Sequence, residues 1–207
     1  MTLILASTSQ IRYELLQQAN IDFVAIPSTF DEESAKKDFA NSPPHNVLSH
    51  HDQALKLAAG KAQAVSELHM NDYVIGADQI CADDARIYSK PLTSSQAKQH
   101  LQYLQGREHR QHSAACLFYA GEKIWQHCEI VTLTMRNLTE AEITAYVEKD
   151  QPFQACGGYC YEKSGSALFS SVDGSEYAIK GLPMQHLLAA LQQFYPISLA
   201  KYPAKSS

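Results

Sequence analysis

Apolar residues in this 207-residue chain fall into short continuous runs and longer helical repeats, and their order predicts the elements. Residues 2–6 read as a buried strand, after which Ile11, Leu15, Leu16 and Ala19 recur at helical spacing as far as Asn20. Strand therefore gives way to helix across Ser7-Thr8-Ser9-Gln10. Residues 21–26 (IDFVAI) read as a second strand, followed by an acidic loop at Asp31-Glu32-Glu33. Ser-Pro-Pro introduces a long helix over about 44–70. The run YVIGAD (73–78) is a strand ending in an acid, and residues 80–91 fold back as a hairpin turning at Asp83-Asp84. Thr93 and Gln96 have capping-box spacing for a helix to Leu104, stopped by Gly106. Residues 112–120 and 123–135 pair as a long hairpin around Gly121-Glu122, and Thr139 with Glu142 opens a helix to about Lys149. Residues 154–169 read as loop followed by strand, Asp173-Gly174 as a turn, and 182–194 as a final helix led in by Gly-Leu-Pro.

Strands and helices intermingle, so the expected class is α/β or mixed α+β. The length suits a single domain over 1–195 with a C-terminal tail at 196–207, and there is no internal repeat. A hydrophobic fraction of 45% is that of an ordinary globular protein. The first residues lack the charged and apolar regions of a signal peptide, and no run approaches the roughly 18 apolar residues of a membrane span. A cytoplasmic protein without membrane contact is therefore expected. Five cysteines without a CxxC pair read as reduced thiols. A net charge of −5 without a basic run argues against a nucleic-acid surface, though a few cations in one place still suit a small anion.

The strand-to-helix turn is the first place where chemistry is expected. The opening N–H groups of a helix have no intrahelical partner, and the helix dipole favours an anion there. Ser7 and Ser9 add hydroxyls, and Arg12, about one turn in, adds a guanidinium fork suited to phosphate. The plainer alternative is that Ser9 caps the helix and Arg12 is solvated. Glu32 and Asp78 are oxygen donors of the kind Mg²⁺ or Mn²⁺ prefers, and Asp78 ends an apolar run where an acid needs a partner. For Asp78 the competing reading is a turn or cap. Lys61 and Lys90 are further cations, each of which alone reads as a surface lysine. Nine histidines, among them His45, His50, His51 and His127, show no zinc spacing. There is no GxSxG, P-loop or GxGxxG after a strand.

In order, LILASTSQIRYELL, Asp31-Glu32, LAAGKAQAV, VIGADQ, SKPLTSSQAKQHLQYLQGREH, YVEKDQPFQACGGY and VDGSEYAIKGLPM resemble the Maf family of nucleoside triphosphate pyrophosphatases over about residues 2–190. The resemblance implies a curved mixed sheet flanked by helices, two lobes with a central cleft, and a homodimer. It also implies hydrolysis of a nucleoside triphosphate to monophosphate and pyrophosphate with a divalent cation. By matching position, Ser7, Ser9 and Arg12 fall in the phosphate motif, Glu32 in the acidic loop, Lys61 on the long helix, Asp78 at the catalytic acid and Lys90 before proline. Asp78 and Glu32 are then the metal carboxylates.

The phosphate motif departs from the SxSPRR of many members, with Gln10 and Ile11 in place of proline and arginine. Ile11, Gln79 and Glu162 stand where members differ in base specificity. The combination of Gln79 and Glu162 resembles the subgroup acting on 7-methyl-GTP. A carboxylate accepts hydrogen bonds, and guanine offers adjacent N1–H and N2–H donors. Stacking on the methylated base would come from Tyr159 or Tyr161 or be lost, and either tyrosine reads equally as a core residue. A dTTP/UTP pyrophosphatase and a nucleotide-binding regulator with little turnover are the alternatives.

Overall fold

The computed structural model describes residues 1–43 and 47–195. The predicted tail, His45 and the start of the predicted long helix lie outside the described residues. The described chain forms β1 (Leu3–Leu5), α1 (Gln10–Gln18), β2 (Val24–Ala25), α2 (Glu32–Ala40), α3 (His50–Ser66), β3 (Tyr73–Ala82) and β4 (Ile87–Tyr88). It continues through α4 (Ser94–Leu104), β5 (Glu108–Tyr119), β6 (Glu122–Met135), α5 (Glu140–Asp150), β7 (Phe169–Asp173), α6 (Glu176–Ile179) and α7 (Met184–Phe194). Two short 3₁₀ turns, Cys156–Gly158 and Gly165–Leu168, link α5 to β7. No described helix is long and apolar enough to cross a membrane, and all five cysteines are free thiols.

The strands make one mixed sheet of seven in the order β2-β1-β3-β5-β6-β7, with β4 on β3. β1 is parallel to β2 and β3, whereas β3, β5, β6 and β7 pair antiparallel. Strand alternation assigns the two faces. Even-numbered residues of β3, including Val74, Ile80 and Ala82, pack with Ala54, Leu57, Ala58 and Ala62 of α3. On the other face, Ile75 and Ala77 pack with Leu15, Leu16, Leu187 and Leu191 of α1 and α7. Further along, Cys81, Leu133 and Met135 pack with Leu101 and Leu104 of α4 and Val147 of α5. One side of the sheet thus carries two separate apolar groups. Gln79 falls between them.

Four expectations are corrected. Asp31-Glu32-Glu33 is not a loop: Asp31 caps α2, accepting from the Ser34 N–H at 2.9 Å, and Glu32 and Glu33 fill its first turn, where acids suit the dipole. Asp78 does not end its strand, because β3 runs four residues further and stays paired with β5 through Ala82↔Arg110. The second strand is cut to the exposed pair Val24–Ala25. The helix expected over 44–70 spans His50–Ser66, with Ser49 as its cap. The caps at Thr93 and Thr139 and the β5–β6 hairpin form as the pattern predicts, with the complete capping box at Thr139 and Glu142.

Candidate active site

Asp78 is buried on β3, opposite Ala114 of β5, with its side chain on the α3 side of the sheet. An isolated carboxylate there would be costly, and Lys61, projecting from α3, supplies the counter-charge by pairing its Nζ with Asp78 Oδ1. The close approach of α3 to β3 depends on Gly76. A Cβ there would stand 2.2 Å from the Ala58 carbonyl oxygen and 2.7 Å from the Ala62 Cβ.

The same Lys61 ammonium reaches Glu32 Oε2 at 2.6 Å, and Lys36 holds the other oxygen, Oε1, at 2.5 Å. Lys36, Glu32, Lys61 and Asp78 therefore form a chain of alternating charges running from α2 across α3 to β3. Partial burial would raise the Glu32 pKa, but hydrogen bonds from Lys36 and Lys61 outweigh it and hold the carboxyl down at about 2. α2 is seated by Phe30, whose ring lies over Gly60, and by Ala35 and Phe39, which pack on the α3 core.

Arg12 approaches from the other face of the sheet. It is 9% exposed, and burial lowers its pKa, an effect opposed by the negative charge of Asp78. Its Nε donates to the Gly181 carbonyl and its Nη1 to the Ala77 carbonyl, both at 2.9 Å. Gln79 Nε2 donates to the carbonyls of Ala178 and Ile179 at 2.9 and 2.8 Å. Arg12 and Gln79 thus fasten the chain leaving α6 to β3, at the residues on either side of Asp78. Gly181 has φ +106°, a conformation that glycine adopts without strain.

At the start of α1, Ser9 occupies the cap position but its side chain makes no capping bond, so the plain capping reading is not realised. Ser7 Oγ instead accepts the Ser9 N–H at 3.1 Å. Lys90 is exposed beside buried Pro91, and its charge reaches the Cys156 thiol. That thiol, facing the Gln79 carbonyl at 3.8 Å, also feels Asp78, Lys36 and Arg12. Burial raises its pKa.

Of the predicted residues, Glu32, Lys61 and Asp78 are thus linked by direct bonds, Arg12 is coupled to Asp78 and Glu32 by charge, and Lys90 is tied to the group through its field at Cys156. Ile11 is half-buried and Glu162 exposed, and among the described residues no hydrogen bond or ion pair joins either to this group. Tyr159 is core, 3% exposed, with its hydroxyl bonded to His109 Nε2 at 2.9 Å and Gln111 Nε2 at 2.7 Å, so it is not free to stack on a base. Tyr161 is half-buried against Phe169. Lys36 and Cys156 join the site without having been marked by the sequence pattern. For Lys36 the available signal was its i,i+4 spacing from Glu32.

Residues 2–194 match the family model described as Maf-like protein. The chain belongs to the Maf family. A nucleoside triphosphate pyrophosphatase of Legionella pneumophila (strain Philadelphia 1) is 39% identical to this Maf chain over 189 residues, covering 91% of it and 92% of the relative. One of Nitrobacter hamburgensis is 37% identical over 199 residues, covering 95% and 96%. The structure of the Staphylococcus aureus Ham1 protein aligns over 92% of the Maf chain and 98% of its own at 14% identity, with a TM-score of 0.49, too distant to add to the topology described above.

Proposed function

We propose that this Maf protein hydrolyses 7-methyl-GTP to the monophosphate and pyrophosphate. The broader class rests on family membership and on relatives named nucleoside triphosphate pyrophosphatase: the protein is a hydrolase acting on acid anhydrides. The observation that carries the reading is the Asp78–Lys61–Glu32 arrangement, with Arg12 bonded to the Ala77 carbonyl next to Asp78.

Cleavage between the α and β phosphates needs a water aligned on the α-phosphorus, a group to take its proton, and positive charge around the leaving pyrophosphate. Asp78 orients that water and accepts its proton as the new P–O bond forms and the bond to the bridging oxygen breaks. Lys61 fixes the Asp78 carboxylate through Oδ1. Arg12, with Nε and Nη1 committed to backbone, offers Nη2, and Lys90 adds an exposed ammonium. Ser7 and Ser9 line the uncapped start of α1, whose N–H groups suit a phosphate.

Glu32 and Asp78 are hard oxygen donors close enough to share one ammonium. Mg²⁺ and Mn²⁺ commonly take one or two carboxylates, with waters and substrate phosphates completing the set, so these two residues fit as its holders. Among the described residues no group of three or more His, Cys, Asp or Glu converges as an all-protein cage. When bound, the cation supplies Lewis-acid charge that activates water and neutralises phosphate.

The choice of base rests on Gln79 and Glu162. Glu162 supplies acceptors for the guanine N1–H and N2–H, and Gln79, with its amide N–H groups given to α6, retains its carbonyl oxygen. Ile11 stands beside the phosphate turn as an apolar contact. In this reading the enzyme acts as a homodimer, checked by sedimentation equilibrium.

The test is pyrophosphate release from 7-methyl-GTP, GTP, dTTP, UTP and CTP with Mg²⁺ or Mn²⁺. It compares wild type with Asp78→Asn and Glu162→Gln. Expected are fastest turnover of 7-methyl-GTP, a loss of about 10²-fold or more in kcat at Asp78, and a weaker preference for that base at Glu162. Turnover led by dTTP or UTP overturns the base assignment, and no turnover of any nucleotide overturns the reading as an enzyme.

A further inference from the structure

We infer that Lys36 is a substrate-contacting cation of the triphosphate site, bound to the terminal phosphates and the departing pyrophosphate. The inference rests on the pyrophosphatase reading above and adds a residue to it.

Three observations support it. First, Lys36 is turned towards the site. Its Nζ meets Glu32 Oε1 at 2.5 Å, on the carboxylate whose other oxygen meets Lys61, and its charge is felt by both Asp78 and Cys156. Second, it has donors to spare. An ammonium carries three N–H groups, of which Glu32 takes one, and the side chain is 43% exposed, so an incoming oxyanion can reach the others. Third, the site's inner cations are already committed. Lys61, only 16% exposed, divides its charge between Asp78 and Glu32, and Arg12 gives two of its donor positions to backbone carbonyls. Lys90 and Lys36 are the exposed ammoniums whose fields reach Cys156, and they come from different elements, the segment after β4 and helix α2. A polyanion bound near Cys156 would feel cations from two elements, and in a partly desolvated site a charge-assisted hydrogen bond is worth more than a surface ion pair.

Lys36 is placed at this position by α2. The four-residue spacing from Glu32 puts both side chains on one helical face, while Ala35 and Phe39 seat the helix on the α3 core. The grip on Glu32 thus orients Lys36 before any ligand arrives.

The experiment measures binding of inorganic triphosphate and pyrophosphate by titration calorimetry, alongside KM and kcat for nucleotide hydrolysis. The proteins are wild type, Lys36→Gln, Lys36→Arg, Glu32→Gln and the Lys36→Gln/Glu32→Gln double variant. Expected for Lys36→Gln is about tenfold weaker pyrophosphate binding and a similar rise in KM with a smaller change in kcat. Lys36→Arg should stay within about threefold of wild type, since it keeps the charge. The decisive comparison is in the Glu32→Gln background: a residue that touches phosphate still weakens pyrophosphate binding when removed there, whereas one that only steadies Glu32 has no further effect. Unchanged pyrophosphate affinity in either background overturns the inference. Because the binding arms need no turnover, a wild type that binds triphosphate through Lys36 yet hydrolyses nothing would overturn the pyrophosphatase reading and leave this inference standing.

Discussion

Asp78 is a buried carboxylate inside a ten-residue strand, and Lys61 makes that position tolerable. Removing one partner of a buried ion pair leaves the other uncompensated. Lys61→Met is therefore expected to cost about 3 kcal/mol of stability and Lys61→Arg clearly less, measured by urea unfolding at pH 7. Glu32 carries a pH signature. Its folded value of about 2 lies below its ordinary 4.5, so its contribution is complete above pH 4.5 and is lost as pH falls towards 2. The stability gap between wild type and Glu32→Gln should accordingly shrink steadily across that window, which their urea midpoints would show. Glu32, Lys61 and Asp78 were legible together through the family resemblance, although Lys61 alone reads as a surface lysine and Asp78 alone as a turn or cap. Lys36 was not. A lysine four residues after a glutamate has the pattern of a solvated helix pair, and only the fold reveals that this glutamate shares Lys61 with β3's acid.

At the scale of elements, the site depends on how tightly α3 lies against β3. Gly76→Ala would drive a methyl into the Ala58 carbonyl and the Ala62 Cβ, and neither is the far end of a flexible side chain. Expected is a loss of about 1–3 kcal/mol together with reduced activity, read by thermal unfolding and pyrophosphate release. The capping box of α5 is the contrasting case: Thr139→Ala should cost about 1 kcal/mol and leave kcat unchanged. The β5–β6 hairpin and the caps of α4 and α5 could be read from sequence because their signals are local. The hairpin turns through Ala120 and Gly121, both at positive φ, and the caps need only a hydroxyl and a residue three positions on. α2 is hard to read from sequence because FDEESAKKDFA has few apolar residues, and its opening Asp31-Glu32-Glu33 has the pattern of an acidic loop. The extension of β3 beyond Asp78 was missed for another reason: an acid after an apolar run has the pattern of a strand end, whereas a lysine on α3 allows the strand to continue.

Across the whole molecule, two buried imidazoles add to the response to acid. Burial holds His109 down at about 4, and burial together with the nearby His50, His51 and Arg110 does the same to His112. Between the ordinary histidine value of 6.5 and about 4, the unfolded chain takes up protons that the fold refuses. Stability from these two residues is complete above pH 6.5 and drains as pH falls to 4. Urea midpoints should decline over that range, and a His109→Gln/His112→Gln variant should show a flatter profile. The mixed sheet has a further consequence, for the order in which the molecule is assembled. β5 and β6 are neighbours along the chain, but β1 must wait for β3, as the Thr2–Asp72 hydrogen bond across 70 positions shows. Contacts between distant positions bear the larger loop-closure entropy and are slow to form. Pulse-labelled hydrogen exchange during refolding should find the amides of β5 and β6 shielded before those of β1. The turn between β1 and α1, made before β3 during synthesis, would then be among the last regions to take shape, and a chain cut short before residue 73 would lack the strand that anchors it.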